Sequence, residues 1–194
     1  DAAETTTTIV AIALGDDATT RVEASLLLAE RPLLAARVPQ VRWSDFLART
    51  SAEATDLDYK IALAELCATQ RLPGLVDALV VGLDTTTDPN YARAVGRLCT
   101  AMLGDDAGKP ILARLKTHAE PATRKALMTA LGATHSKEAL DALLQWKQGK
   151  ADDEAVEAGL REHKSRAAKQ ASGEKGEPRE PAPKSPETPK DGGK

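Results

Sequence analysis

The chain has 194 residues, of which 42% are hydrophobic and only 3% are aromatic. These values suffice for one ordinary folded domain, whose core must be built from alanine and leucine rather than from aromatic rings. From Lys164 onward there are eight Lys or Arg and five Asp or Glu, so residues 1–163 carry a net charge of −6. An acidic body argues against nucleic-acid binding, and no apolar run reaches the ~18 residues that a membrane span needs.

The first residues are the hardest to assign. Asp1 opens the small, polar segment DAAETTTT, and we expect residues 1–8 to form a flexible N-terminal segment. A polar start without methionine is typical of a mature end left by signal-peptide removal, which favours export, although a fragment of a longer protein would look the same. The run TTTTIVAIAL at 5–14 is ambiguous, because β-branched threonine lowers helix propensity. We expect the folded domain to begin at residue 9.

Two segments precede the regular part of the chain. The stretch ATTRVEASLLLAE at 18–30 resembles the later segment ATRKALMTALGA, which predicts an earlier copy of the same kind of helix, and Pro32 interrupts this pattern. Residues 33–57 also have helical character, and Ser44 is the predicted N-cap of that helix. This segment does not match the repeat that follows it.

A repeat of 32 residues begins at YKIALAELC (59–67) and recurs at YARAVGRLC (91–99). Tyrosine, alanine, leucine and cysteine hold the same places in both copies, at the spacing of one helix face. A third copy, ATRKALMTALGAT, has Leu131 where the first two copies have cysteine. We therefore predict that Cys67 and Cys99 are buried core positions of stacked helices, and not a disulfide or a metal site.

A second amphipathic segment follows each copy: LPGLVDALVVGL, KPILARLKTHA and SKEALDALLQW. Pro89 and Pro121, which are 32 residues apart, lie where a helix begins, since proline at the first helical position costs no hydrogen bond. Ser136, Asp152 and Asp153 are predicted N-caps of the later helices. The repeating unit is therefore helix, turn, helix, turn.

Paired helices of this size resemble HEAT repeats, clearly over residues 59–163 and loosely over 9–58. The shared features are a proline that opens the first helix, an arginine soon after it (Arg93, Arg124), Gly132 at the end of the first helix and a leucine-rich second helix. The resemblance implies an all-α fold. Its expected form is a short right-handed α-solenoid of antiparallel helix pairs over residues 9–164.

The composition changes after Lys164, where we expect the last helix to end. Residues 165–194 are crowded with proline, glycine and charge and contain no large apolar residue. Such a segment cannot bury enough surface to offset the entropy of ordering. We therefore predict a disordered tail over 165–194.

The resemblance implies a non-catalytic module that presents a helical-repeat surface to a partner protein. We assign the partner surface to the second helices of the units, with five candidate residues: Asp77, Arg114, Asp141, Gln145 and Trp146. Trp146 completes the packing of its helix, or anchors an interface if it faces solvent. No pattern in the sequence predicts a catalytic residue, a cofactor site or a metal site.

Two other functions remain open from the sequence. One is an enzyme similar to the HEAT-like bilin lyases, in which the solenoid cradles a chromophore, although no nucleophile or pocket signature supports it. The other is a structural piece of a larger solenoid. In that case residues 5–14 would expose apolar surface, and the isolated chain would self-associate.

Overall fold

A computed structural model shows that the protein is all-helical. The structure describes residues 2–51, 56–86, 88–117, 120–149 and 153–173, and none of these is in a β-strand. The helices are α1 (Ala2–Ala13), α2 (Ala18–Glu30), α3 (Pro32–Ala35), α4 (Gln40–Ser51), α5 (Leu57–Thr69), α6 (Leu75–Gly82), α7 (Pro89–Leu103), α8 (Gly108–Thr117), α9 (Pro121–Thr134), α10 (Lys137–Gly149) and α11 (Glu154–Gly173). The predicted all-α class is confirmed.

Several helices begin at the signals that the sequence contains. Pro89 and Pro121 are the first residues of α7 and α9. The Ser136 hydroxyl accepts a hydrogen bond from the Ala139 amide at 3.1 Å. Asp153 accepts one from the Ala155 amide at 3.0 Å. Each of these side chains accepts a hydrogen bond from a backbone N–H group that has no backbone partner in the first helical turn. The remaining predicted cap, Asp152, lies outside the described residues.

The prediction for Ser44 was wrong. This residue lies inside α4, and its hydroxyl donates to the Val41 carbonyl at 2.7 Å instead of accepting from the helix start. The helix begins earlier because it follows Pro39, whose carbonyl accepts from the Arg42 amide at 2.8 Å. Proline with its fixed φ is well suited to a helix start.

The N-terminal segment differs from the prediction as well. Residues 2–8 are not a flexible extension but the first part of α1. Thr6 and Val10 are buried, at 1% and 4% exposure, and α1 packs against α2. Burial of this face outweighs the low helix propensity of threonine, which propensity alone does not anticipate.

The last helix continues beyond the predicted boundary. We expected α11 to end near Lys164, but it runs to Gly173, so residues 165–173 of the predicted tail are helical. The sequence there, SRAAKQASG, is rich in alanine and other good helix formers up to its glycine. The rest of the predicted tail, residues 174–194, lies outside the described residues.

Contacts between helices define two rows. In the first row α2, α5, α7, α9 and α11 touch in succession, and in the second row α4, α6, α8 and α10 do so. Helix α4 also contacts α5, α6 contacts α5 and α7, α8 contacts α9, and α10 contacts α9 and α11. A shared hydrophobic core lies between the two rows.

The two repeated tyrosines have the same structural role. Tyr59 on α5 donates its hydroxyl to the Ala13 carbonyl at the end of α1. Tyr91 on α7 donates to the Thr50 carbonyl at the end of α4, at 3.2 Å. The last carbonyls of a helix lack an intrahelical partner, so each buried tyrosine satisfies one of them from a later unit. The 32-residue spacing thus corresponds to a repeated three-dimensional contact.

The first row is packed closely at its C-terminal end. Gly96 of α7 faces the backbone of Ala130 and the side chain of Ala133 on α9, and Gly132 of α9 faces Gly159 of α11. A Cβ atom at either of the first two glycines would overlap the facing backbone, so only glycine permits these helix separations. Gly132 was predicted to end its helix. It lies instead inside α9, which continues to Thr134.

Helix α9 is enclosed by its neighbours. Nearly all of its C-terminal half is buried, including the polar residue Thr129 at 6% exposure. On the outer side of α9 an ion pair joins α7 to α11, with Arg93 Nε 2.7 Å from Glu162 Oε2. This pair brings the two flanking helices together across α9. The helices of the second row pack less closely, because α8 has few contacts with α6 and α10.

Candidate functional site

All five candidate residues lie on helices of the second row. Asp77 is on α6, Arg114 on α8, and the other three are on α10. Asp77, Asp141 and Gln145 are exposed, whereas Arg114 and Trp146 are half-buried. The structure distributes them over two neighbouring grooves, one on each side of α8.

The larger groove runs between α8 and α10 and has a volume of about 770 Å³. Helix α8 contributes a stripe spaced i, i+3, i+4 and i+7, and this stripe consists of Lys109, Leu112, Ala113 and Lys116. Helix α10 contributes the following residues: Lys137, Glu138, Asp141, Ala142, Gln145 and Trp146. The groove therefore has an apolar floor and charged walls, and it brings three of the five candidates together.

The smaller groove runs between α6 and α8 and has a volume of about 340 Å³. Asp77 and Arg114 line it together with the apolar side chains of Val80, Val81 and Pro110. Val81 is 46% exposed, so its apolar surface is available at this position. Ala113 lines both grooves, which makes the two a continuous surface along the second row.

Arg114 has a structural partner. Its guanidinium forms an ion pair with Asp84, with Nε 3.4 Å from Oδ1 and a closer contact through Nη2. Both side chains are partly shielded from solvent, which strengthens the pair relative to a fully exposed one. Arg114 therefore ties α8 to the turn after α6. The same ion pair holds its side chain in place where it lines the smaller groove.

Trp146 is half-buried. Its ring packs against the hydrophobic core and also lines the larger groove. The Arg124 guanidinium lies over this ring, 5.9 Å from the centroid, at the range of a cation–π contact. A half-buried ring that is held in place by core packing presents a rigid apolar surface at little entropic cost.

The charged groups of the groove are mostly solvated. Lys109 Nζ lies 2.5 Å from Asp106 Oδ1, and this hydrogen bond together with the attraction of the carboxylates raises the pKa of Lys109. Near the end of α10, the Lys147 ammonium lowers the pKa of Glu157 on α11 through a 2.7 Å contact. Within the described residues, no ion pair involves Lys116, Glu138 or Asp141. All three side chains are exposed.

The two cysteines are core residues. Both Cys67 and Cys99 are free and fully buried, as predicted, and burial raises the pKa of each thiol from 9.0 to about 12. A thiol that keeps its proton is a poor nucleophile and a poor metal ligand. In the part of the chain that the structure describes, no group of three or more His, Cys, Asp or Glu is placed to bind a metal.

Sequence reasoning missed two features. Lys109, Lys116 and Lys137 belong to the larger groove, but only the pairing of α8 with α10 shows this. Outside both grooves, the His135 and His163 rings lie 5.5 Å apart, and His135 lines a cavity of about 450 Å³. The two histidines are 28 residues apart in different units, so no local motif signals their contact.

Comparisons with known proteins found no match: no family model, no curated protein and no solved structure is significantly similar to this chain. Among the described residues, no helix has both the length and the apolar character to cross a membrane.

Proposed function

We propose that this chain is a non-catalytic protein-interaction module, built as a short right-handed HEAT-like α-solenoid, that binds a partner protein along its second helix row. The observation that carries the proposal is the continuous surface that the two grooves form along the second row through Ala113. Each of the five candidate residues lines one of these two grooves. Successive contacts within each of two helix rows are the arrangement that a solenoid would have.

The surface has the composition of a protein interface rather than that of a nucleic-acid interface. It combines an apolar floor, one aromatic anchor and charges of both signs. Nucleic-acid binders draw most of their affinity from clustered cations. Acidic side chains on α6 and α10, namely Asp77, Glu138 and Asp141, break up the lysines of this row. A protein partner therefore fits the surface best.

Site-specific photo-crosslinking tests the proposed surface. A benzophenone amino acid at Ala113, which is exposed in both grooves, should crosslink the partner in lysate or in vivo. The same probe at Ala101, which is exposed on α7 and lines neither groove, is the matched control. Crosslinked adducts from Ala101 but not from Ala113 would contradict a partner surface on the second row. The Trp146→Ala variant should reduce the adduct from Ala113 by about tenfold, as expected for a truncated aromatic anchor.

A structural unit of a larger helical stack is the second candidate function. Five exposed large hydrophobic residues lie within residues 12–41, namely Ile12, Leu26, Leu27, Leu33 and Val41. Leu33 and Val41 are the most exposed, at 82% and 69%. Single exposed leucines are ordinary, but several at one end of a helix array are typical of a surface that another element covers.

Sedimentation velocity distinguishes this second candidate. If the apolar end is a docking surface, the purified chain should show a mean mass that rises with concentration. The double variant Leu33→Glu and Val41→Glu should then sediment as a monomer. Val81→Glu, which changes an exposed apolar residue of the second row, serves as the control and should behave like the wild type. A wild-type chain that stays monomeric at all concentrations would exclude the candidate.

A further inference from the structure

We infer that the groove between α8 and α10 accepts one amphipathic helix of the partner, with an acidic flank against α8 and a basic flank against α10. This inference rests on the proposed function and states which kind of segment the larger groove would bind. It follows from the order of apolar and charged side chains along the two walls.

The floor of the groove suits a short apolar stripe. Leu112 and Ala113 from α8 line the groove together with Ala142 and Trp146 from α10. From Lys109 to Lys116 the stripe on α8 covers about 10 Å, or two helical turns, at the 1.5 Å rise of a helix. A partner helix would meet this length with apolar residues at i, i+3 or i+4, and i+7.

The two walls carry opposite charge. Lys109 and Lys116 stand at the two ends of the α8 stripe, and α8 contains no Asp or Glu. Glu138 and Asp141 stand on α10, with Lys137 at the first position of that helix. The Lys109 contact with Asp106 joins two exposed side chains and is therefore readily exchanged. An acidic flank facing α8 and a basic flank facing α10 would pair with both walls.

A helix suits this groove better than an extended chain. The walls are side chains of helices whose backbone groups are already hydrogen-bonded within each helix. An extended segment would enter with its own N–H and C=O groups unpaired, whereas a helix satisfies them internally. A third helix laid between α8 and α10 would also pack ridges into grooves in the usual way of helix layers.

Designed peptides and tryptophan fluorescence test the inference on the full chain. The chain has two tryptophans, and Trp43 is buried, so Trp43→Phe leaves Trp146 as the only reporter. Three helical peptides of about 18 residues share one leucine stripe. The first has Glu on one flank and Lys on the other, the second has the same residues mixed on both flanks, and the third has Lys on both flanks.

The first peptide should give a saturating change in Trp146 emission, and the second should bind about tenfold more weakly. In the variant Lys109→Glu and Lys116→Glu both walls become acidic. The first peptide should then lose about tenfold in affinity and the third should gain about tenfold. Lys125→Glu changes an exposed lysine of α9 outside the groove and is the control, with affinities unchanged. Thermal unfolding by circular dichroism confirms that each variant is folded.

The two negative results of the peptide experiment test different parts of the inference. Equal binding of the first and second peptides would overturn the charge order of the groove. No response of Trp146 to any of the three peptides would overturn the helical occupant itself. Neither result removes the proposed partner surface, which the crosslinking at Ala113 decides independently.

Discussion

Replacing Gly132 by alanine is expected to lower the free energy of unfolding by about 3 kcal/mol. The new Cβ would lie 2.9 Å from the Gly159 carbonyl carbon and closer still to its oxygen. Both atoms belong to the backbone of α11, so no side-chain rotation can relieve the overlap, and α9 and α11 must move apart. Urea denaturation of the purified variant, followed by circular dichroism, measures the loss.

Gly149→Ala is the matched control for this substitution. Gly149 is the last residue of α10, and a Cβ built there meets no atom within 4 Å. Alanine at this position should change the free energy of unfolding by less than about 1 kcal/mol, through helix propensity alone. If Gly132→Ala were as mild as Gly149→Ala, the close approach of α9 and α11 would be refuted.

Alkaline pH is expected to destabilise the protein through its two buried thiols. Burial raises the pKa of Cys67 and Cys99 from 9.0 to about 12. Above pH 9 the unfolded chain releases these protons while the folded chain retains them. The stability that is present below pH 9 is therefore lost as the pH rises towards 12. Between pH 8 and pH 10 the two thiols together should remove about 2 to 3 kcal/mol, measurable by urea denaturation at each pH.

The double variant Cys67→Ala and Cys99→Ala isolates this effect. Each substitution should cost about 1 to 2 kcal/mol at pH 7, because it removes a buried sulfur atom. The variant should nevertheless lose most of the pH dependence between 8 and 10, and the two buried tyrosines account for the remainder. Measurements stop at pH 10 because burial also raises the pKa of Tyr59 and Tyr91 above the ordinary value of 10.0. If the free energy of unfolding fell equally with pH in wild type and variant, the thiols would ionise as readily in the folded chain as in the unfolded chain, and the prediction would be wrong.

The helices and their buried faces were largely predictable, because their signals are local. A stripe at i, i+3 and i+4 identifies the face that packs inward, and Tyr59, Tyr91 and Leu131 are buried as the repeat predicts. Proline at a helix start and serine as an N-cap act within one turn, so Pro89 and Ser136 mark real boundaries. The misplaced cap at Ser44 shows the limit of such signals, since serine can also bond back within a helix.

Contacts between units were not predictable from these local signals. Gly132 has the sequence position of a helix end, but its role is to allow α11 to approach α9. Lys60 directly follows Tyr59, the first residue of the apolar stripe of α5, and does not belong to that stripe. Its side chain would therefore be expected in solvent. It is nevertheless buried at 1% exposure, with its ammonium 5.8 Å from the Tyr91 ring centroid. Neither role can be inferred without knowing which helix faces the residue.

The candidate surface was likewise predictable only in part. The sequence by itself determined the helices of the repeated units and which of their polar residues, such as Asp141 and Gln145, point away from the core, because side-chain periodicity fixes the faces of a helix. Only the tertiary structure decided that α8 and α10 stand apart and form a groove with walls of opposite charge. The separation of two helices depends on the residues at their contact, and small residues hold the first row close while the second row is left open.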